Sequence, residues 1–309
     1  MISTVINKMN LFYEEYKRLV MTITQLQVLI KTVELGSFTK AARVLNMTQP
    51  AVSHAISSIE SELGVTILIR DKRQGLLVTD VGNRILVHIR EILNGVEKIE
   101  QEVAMEKGHE VGTIRIGSFP SASAHFLPKM INHFKEKYPN LEVVLCEGTI
   151  KEVEDWLVSR VVDIGIVILP NKEMEIVPLT KGKMVVILRE DHPLCKKDAI
   201  TIRDLENEPI ILCKGGYEPP IIDMFKQANV PLRAEYVIST VTTALNMIQE
   251  GLGIAILAEL SLTNLPKNVQ TRELEPQVWR EIALAVPSLK DSSIAVQLFI
   301  EEFQALFAE

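Results

Sequence analysis

The stretch GSFTKAARVLNMTQPAVSHAISSIESELGVTILIR, residues 36–70, decides the fold of the front of the chain. Apolar residues recur in it at helical spacing, in two short runs joined by residues 46–48. Thr48 is a helix-capping residue, Pro50 is tolerated in a first helical turn, and Gly64 ends the second run. Two short helices with so brief a connection are typical of a helix-turn-helix module.

The flanking segments complete this module. A supporting helix is predicted before it, with Thr24 as its cap and Gly36 at its end. After it, residues 65–69 and 76–79 are predicted strands, joined by the basic turn of residues 70–75. The result is a hairpin whose cations suit contact with phosphate groups.

The outward face of the third predicted helix carries neutral, hydrogen-bonding side chains. They are Gln49, Ser53, His54 and Ser57. Such side chains can reach base edges, whereas a merely solvated helix face more often carries Lys and Glu. The pattern therefore favours base recognition over an ordinary surface.

Residues 22–90 resemble the N-terminal domain of the LysR-type transcriptional regulators, through residues 36–70 and the segment LLVTDVG, residues 76–82. The resemblance implies a winged helix-turn-helix that binds promoter DNA. By position, the implied base-reading residues are Gln49, Ala51, Ser53 and His54, and the implied wing contacts are Arg70, Lys72 and Arg73. His54 replaces the arginine often found there, and a neutral imidazole cannot reproduce a bidentate arginine–guanine pair.

The charge is unevenly distributed along the 309 residues. The net charge of −7 argues against a nucleic-acid partner when the chain is taken as a whole. Divided along the sequence, residues 1–20 carry +1, residues 21–90 carry +3 and the remainder carries −11. This asymmetry indicates a nucleic-acid module joined to an acidic body, although +3 over that length also fits chance.

The composition, 47% hydrophobic and 24% charged, is that of a globular protein and excludes disordered and collagen-like classes. No apolar run is long enough to cross a membrane, and the N-terminus lacks the features of a signal peptide. The three cysteines, Cys146, Cys195 and Cys213, form no CxxC pair, which favours a reducing cytoplasm. Buried small hydrophobes are favoured over a thiol sensor for all three.

Four regions are expected. Residues 1–20 are an N-terminal extension that lies upstream of the natural start or is loosely attached, and residues 21–80 are the DNA-binding domain. Residues 81–110 form a linker helix and hinge. Residues 111–309 form an effector-binding body.

The linker helix has an apolar seam with a period of about 3.5 residues. Its members are Ile85, Ile89, Ile92, Val96, Ile99 and Val103. This period favours pairing with a second copy over a helix that lies on its own domain. In the family that the chain resembles, this segment is a dimerisation helix.

The body alternates apolar runs with amphipathic segments, which predicts an α/β fold with mostly parallel sheets. The predicted strands are residues 113–117, 141–147, 163–168, 184–188, 209–212, 234–238, 253–257 and 282–286. Ligands of such sheets bind beyond the carboxyl ends of the strands, near helix N-termini.

Hydroxyl-rich segments follow several of these strands. They hold the candidate effector-binding residues Ser121, Ala122, Ser123, Thr149, Lys214, Ser239, Thr240 and Val241. Hydroxyls at a helix start bind an anion together with backbone N–H groups, and Lys214 adds a cation, so an anionic effector is favoured. Ordinary helix capping is the alternative at each helix start.

The body resembles the effector domain of the same family, through residues 114–143, LVSRVVDIGIV and MIQEGLGIAIL. The resemblance implies a two-lobed fold like the type 2 periplasmic binding proteins. We place lobe 1 at about residues 111–180 and 283–309, and lobe 2 at about 181–282. It also implies a small molecule between the lobes, which shifts how tetramers sit on DNA. Tyr217 and Glu218 occupy the region where the peroxide-sensing branch keeps its reactive cysteine, so a redox switch is disfavoured.

Two other classes of protein fit the sequence less well. An enzyme is disfavoured because GxSxG, Walker and HExxH motifs are absent, and the six histidines have no metal-ligand spacing. An architectural DNA-binding protein would have little use for a large acidic body. We therefore expect a regulator without a cofactor, whose partners are promoter DNA, a small-molecule effector, further copies of itself as homodimer and homotetramer, and RNA polymerase.

Overall fold

The computed structural model describes residues 21–71, 73, 75–171, 173–214, 217–262 and 264–307. The predictions for residues 1–20 and for Lys72 lie outside the described residues. The chain divides into two compact units, with the boundary between Glu100 and Gln101. The first unit is called the head below, and the second the body.

Three short helices begin the described part of the head, which starts at Met21. They are α1 (Ile23–Leu35), α2 (Phe38–Val44) and α3 (Gln49–Leu63). The predicted cap of α1, Thr24, is wrong, because the helix already begins after Thr22. The Thr22 hydroxyl accepts the Gln25 N–H at 3.2 Å, and the Gln25 amide oxygen accepts the Thr22 N–H at 2.8 Å. This capping box satisfies two amides that would otherwise lack partners. As predicted, α1 and α3 end at Gly36 and Gly64, in the left-handed region with φ of +59° and +67°.

A two-stranded wing follows α3. Strands β1 (Leu68–Asp71) and β2 (Gly75–Val78) pair antiparallel, with Asp71 opposite Gly75. The first strand begins later than predicted, because Glu60 of α3 holds the preceding segment. Its Oε1 accepts the N–H groups of Ile67 and Leu68 at 2.7 and 3.0 Å. The wing is therefore anchored to the helix beside it.

The long helix α4 (Asp80–Glu106) carries the predicted apolar seam. Ile89 is buried in the core of the head, and Ile85 packs against that core. Further along, Ile92, Ile99 and Val103 are 46%, 66% and 50% exposed. The first part of the seam thus belongs to the head, and the second part is open to a partner.

Ten strands lie in the described part of the body. They are β3 (Gly112–Ser118), β4 (Leu141–Glu147), β5 (Ile164–Ile168), β6 (Glu175–Arg189), β7 (Ala199–Thr201), β8 (Ile210–Cys213), β9 (Ala234–Ile238), β10 (Ala255–Ala258), β11 (Val269–Glu275) and β12 (Trp279–Val286). The large sheet has the order β4-β3-β5-β12-β6-β11-β7, with β10 also on β6, and β8 pairs with β9.

The prediction of mostly parallel sheets is wrong, because β6 and β12 introduce antiparallel pairing. These two strands pair with each other, β12 also pairs antiparallel with β5, and β6 with β10 and β11. The first half of β6 lies in the sheet of lobe 1 and its second half in that of lobe 2. We call β6 and β12 the crossover strands.

Two main apolar cores lie in the body, one on each side of the crossover strands. The core of lobe 1 draws on residues 114–177 and 282–303, and the core of lobe 2 on residues 184–274. The helices around them are α5 (Pro120–Lys137), α6 (Ile150–Val158), α7 (Glu218–Gln227), α8 (Val241–Gln249) and α9 (Ile294–Phe307). Helix α5 buries an apolar stripe that includes Leu127, Met130 and Phe134.

Candidate DNA-binding surface and effector cavity

One face of α3 is free of the core of the head. Val52, Ile56 and Ile59 bury the opposite face. The predicted base-reading residues lie on the free side: Ala51, His54 and Ser57 are exposed, and Gln49 and Ser53 are half-exposed. Thr48 caps the helix by accepting the Ala51 N–H at 3.3 Å. A rigid helix therefore presents a row of short polar side chains, as base recognition requires.

The two predicted wing cations that are described differ in their surroundings. Arg70 lies in β1, where its Nη2 donates to Ser53 Oγ at 3.1 Å and its guanidinium lies 3.9 Å from the centre of the Phe38 ring. Arg73 is exposed in the turn, where its backbone N–H donates to Asp71 Oδ1 at 2.7 Å. Arg70 thus adds a cation beside α3, whereas Arg73 is available at the tip of the wing.

A cavity of about 400 Å³ lies in the body between residues of the two lobes. Lobe 1 contributes Phe119, Pro120, Ser121 and Ala124, and lobe 2 contributes Cys213, Lys214, Tyr217, Ser239, Thr240, Val241, Thr242, Leu245, Asn246, Ser261, Asn264 and Pro266. We call it the cleft cavity. Its size is that of a site for a small organic molecule.

The lining of the cleft cavity is apolar and hydroxyl-rich, with a single charge. Lys214 is the one charged side chain among the described residues that line it. No carboxylate is found among those same residues. The described lining therefore contributes one positive charge and no negative charge.

The structure places five of the predicted effector-binding residues at the cavity: Ser121, Lys214, Ser239, Thr240 and Val241. The other three lie elsewhere. Ala122 is buried in the core of lobe 1, and Ser123 is 7% exposed. Thr149 caps α6, where it accepts the Glu152 N–H at 3.2 Å and Glu152 accepts its N–H at 2.7 Å. The alternative of ordinary capping therefore holds for Thr149.

Hydrogen bonds distinguish the two hydroxyl-rich helix starts. Thr240 caps α8 by accepting the Thr243 N–H at 3.1 Å, so capping is part of its role. Ser121 instead accepts a hydrogen bond from the Tyr217 hydroxyl at 3.5 Å. Tyr217 also bonds to Ser261 through its hydroxyl. One tyrosine thus connects the start of α5 with lobe 2.

Tyr217 and Arg280 are the main features that the sequence predictions missed. Arg280 lies on β12 opposite Gly182, and only 4% of its surface is exposed. Its guanidinium lies 4.3 Å from the centre of the Tyr217 ring and 5.5 Å from that of Phe119. Burial lowers the pKa of Arg280 from its usual value, and interaction with Tyr217 opposes this shift.

Comparisons with known proteins identify both units. The family of LysR substrate binding domains matches residues 107–308, and the family of bacterial regulatory helix-turn-helix proteins of the lysR type matches residues 23–83. This protein belongs to the LysR family. The predicted winged helix-turn-helix and two-lobed effector domain are thereby confirmed as its fold.

Relatives extend the match across the chain. The HTH-type transcriptional regulator YvbU of Bacillus subtilis is 58% identical over 289 residues, which cover 93% of this chain and 99% of YvbU. The probable HTH-type regulator LrrA of Synechococcus elongatus is 35% identical, covering 86% of this chain and 90% of LrrA. These descriptions make the LysR-type chain a transcriptional regulator rather than an enzyme.

Solved structures of LysR-type regulators share the architecture. A full-length OxyR variant from Pseudomonas aeruginosa has a TM-score of 0.73 at 22% identity, covering 92% of this chain and 95% of its own. CbnR in complex with its target DNA has a TM-score of 0.61 at 21% identity, covering 92% and 99%. At these identities the similarity shows the fold alone. Among the described helices, none is long and apolar enough to cross a bilayer.

Proposed function

We propose that this LysR-type protein is a ligand-responsive regulator whose effector is a small anion bound in the cleft cavity. The observation that carries the proposal is a cavity of about 400 Å³ whose single charged lining side chain, among those described, is Lys214. An effector that favours one arrangement of the lobes over another would shift the geometry of the assembly on DNA. This proposal includes a dimer through α4, a tetramer on promoter DNA, contact with RNA polymerase, and action in the cytoplasm.

On the DNA side, we propose that Gln49, Ser53 and His54 contact base edges while Arg70, Lys72 and Arg73 bind phosphates. The exposed face of α3 supports this assignment. Gln49→Ala should cost about 1–3 kcal/mol of discrimination between the target site and a mismatched site. Measuring both affinities by fluorescence anisotropy checks this. Equal weakening on both sequences would show that Gln49 does not read bases.

The effector proposal is tested by blocking the cleft cavity. Thr242 and Gln249 are both exposed on α8, but only Thr242 lines the cavity. A thermal-shift screen of the full chain against small carboxylates and phosphates should find anions that raise Tm, because a ligand that binds only the folded state stabilises it. Thr242→Trp should abolish the shift, and the control Gln249→Trp should keep it. A shift that survives in Thr242→Trp would place the anion elsewhere.

A further inference from the structure

Arg280 is a buried cation whose hydrogen-bonding capacity is only partly used. Its Nε and Nη2 atoms are shielded from solvent, and neither has a hydrogen-bond partner among the described residues. A buried charged donor without an acceptor is unfavourable, because it has lost its water and gained nothing in return. Such groups are rare in native structures, and each has an explanation such as an ordered water, a bound ion or a functional role.

The guanidinium lies directly behind the wall of the cleft cavity. The Tyr217 and Phe119 rings, which flank it at 4.3 and 5.5 Å, both line that cavity. Cys213, a third lining residue, is close enough for the charge of Arg280 to lower the pKa of its thiol against the stronger effect of burial. Three residues that line the cavity, Phe119, Tyr217 and Cys213, therefore lie close to the same cation.

The Nε and Nη2 atoms of Arg280 have a fixed geometry relative to each other as well as a positive charge. The Nε–H and Nη2–H groups of an arginine point in parallel from the same edge, and a planar carboxylate accepts both at once. Arg189 shows this geometry within the same chain, since its Nε and Nη2 donate to the two carboxylate oxygens of Asp191 at 2.7 and 2.8 Å. In Arg280 the equivalent edge has no carboxylate against it among the described residues.

We propose that Arg280 is the carboxylate-binding residue of the effector site and donates two hydrogen bonds from its Nε–Nη2 edge to a ligand carboxylate. This inference rests on the proposed function, because it assumes that the effector occupies the cleft cavity. It narrows the effector from an anion to a carboxylate whose remainder fills a cavity lined by apolar and hydroxyl groups.

Binding at this edge also involves the wall. Because both nitrogen atoms are shielded, the carboxylate reaches them only when the side chains that cover them move. A movement of Tyr217 would break the hydrogen bonds of its hydroxyl with Ser121 of lobe 1 and Ser261 of lobe 2. Since Arg280 lies opposite Gly182 of β6, we expect ligand contact to be transmitted to β6, the strand that the sheets of the two lobes share.

The test uses the full chain and calorimetric titration with acetate, succinate and benzoate. Sodium chloride at equal ionic strength, benzamide and inorganic phosphate serve as comparison solutes. At least one carboxylate should bind, while benzamide should not. Arg280→Lys keeps the charge but loses the side-on pair of donors, so its Kd for that carboxylate should rise by about tenfold or more. A phosphate that binds better than all three carboxylates would overturn the proposal.

Two further variants separate the failure of this proposal from that of the cleft cavity. If Thr242→Trp abolishes binding and Arg280→Lys leaves Kd unchanged, the cavity is correct and the role of Arg280 is overturned. If Thr242→Trp has no effect, the cavity itself is wrong and both proposals fall. Arg280→Met should leave the Tm of the ligand-free protein unchanged or higher, because it removes an unpaired buried charge. A fall of more than about 5 °C would show that Arg280 is structural and overturn its binding role.

Discussion

Among single residues, Cys213 shows most clearly how the surroundings of a side chain determine its reactivity. It is 1% exposed at the end of β8, and burial, with a contribution from Glu218, raises the pKa of its thiol to about 11. The thiolate is the reactive form of cysteine. Cys213 therefore lines the cleft cavity as a small apolar group rather than as a reactive thiolate.

Alkylation measures this directly. At pH 7 only about one Cys213 thiol in ten thousand is ionised, so iodoacetamide should label it roughly a hundredfold more slowly in the native protein than in urea. The native rate should rise about tenfold for each pH unit up to pH 10. Site-resolved mass spectrometry supplies the rates. Native labelling as fast as in urea would contradict the assigned pKa.

The sequence patterns predicted some of the residues at the cleft cavity and missed others. Ser121 and Ser239–Val241 follow predicted strands, so their place at strand ends was predictable from pattern alone. Tyr217 and Arg280 were missed because their roles depend on contacts between segments far apart in the chain. A signal for Arg280 was nevertheless present. It is a cation in phase with Ile282 and Leu284, on a strand whose predicted start was placed three residues too late.

At the scale of elements, the carboxylate of Glu302 connects α9 to α5 by hydrogen bonds. Glu302 lies 2.8 Å from His133 Nε2 and also binds Lys137. The hydrogen bond from Lys137, and then that from His133, lower the pKa of Glu302. A carboxyl group with a lowered folded pKa stabilises the fold above its unfolded pKa, and this stabilisation is lost as pH falls through the folded value.

Glu302→Gln should consequently lower the free energy of unfolding by about 1 kcal/mol at neutral pH. The difference from wild type should shrink as pH falls below about 4.5, the ordinary value for a glutamate, because the wild-type carboxyl is then also being neutralised. Urea unfolding at several pH values gives the measurement. Glu301→Gln, an exposed neighbour, is the control, and an equal loss there would remove the special role of Glu302.

The exposed half of the α4 seam predicts assembly. Ile99→Asp would place a charge in a helix pair, where an unpaired buried charge costs several kcal/mol. The dimer Kd should rise by at least about a hundredfold, while the head stays folded because the side chain is 66% exposed. Sedimentation velocity distinguishes the two states, with Glu102→Gln as a matched exposed control. An unchanged dimer would place the interface on another surface.

Elements with a strong periodic pattern were predicted, and those without one were not. The helices of the head and strand β4 match their predicted places closely because apolar spacing and glycine stops define them. Strand β11 was missed because its sequence VQTRELE has only two buried apolar residues, Val269 and Leu274. Its place in the sheet depends on pairing with β6, which local sequence does not encode.

For the whole molecule, the division of charge is the decisive property. Residues 1–90 carry +4 and the rest of the chain carries −11, so we expect phosphate contact to depend on a few cations while the acidic remainder limits non-specific binding. Arg73→Ala should therefore weaken binding to all DNA sequences alike. The slope of log affinity against log salt concentration should flatten by about one. Anisotropy titrations at several salt concentrations test this, and Gln49→Ala should leave the slope unchanged.

The crossover strands also set the order in which a chain leaving the ribosome can fold. Strand β5 can complete its pairing only after β12 has been synthesised, because Gly165 pairs with Ala285. The core of lobe 1 is complete only when Phe303 is present. The core of the head, in contrast, ends at Ile89. In a nascent chain, the head can thus fold completely before the body has been synthesised. Chains that stop early would consequently compete for operators without answering to any signal.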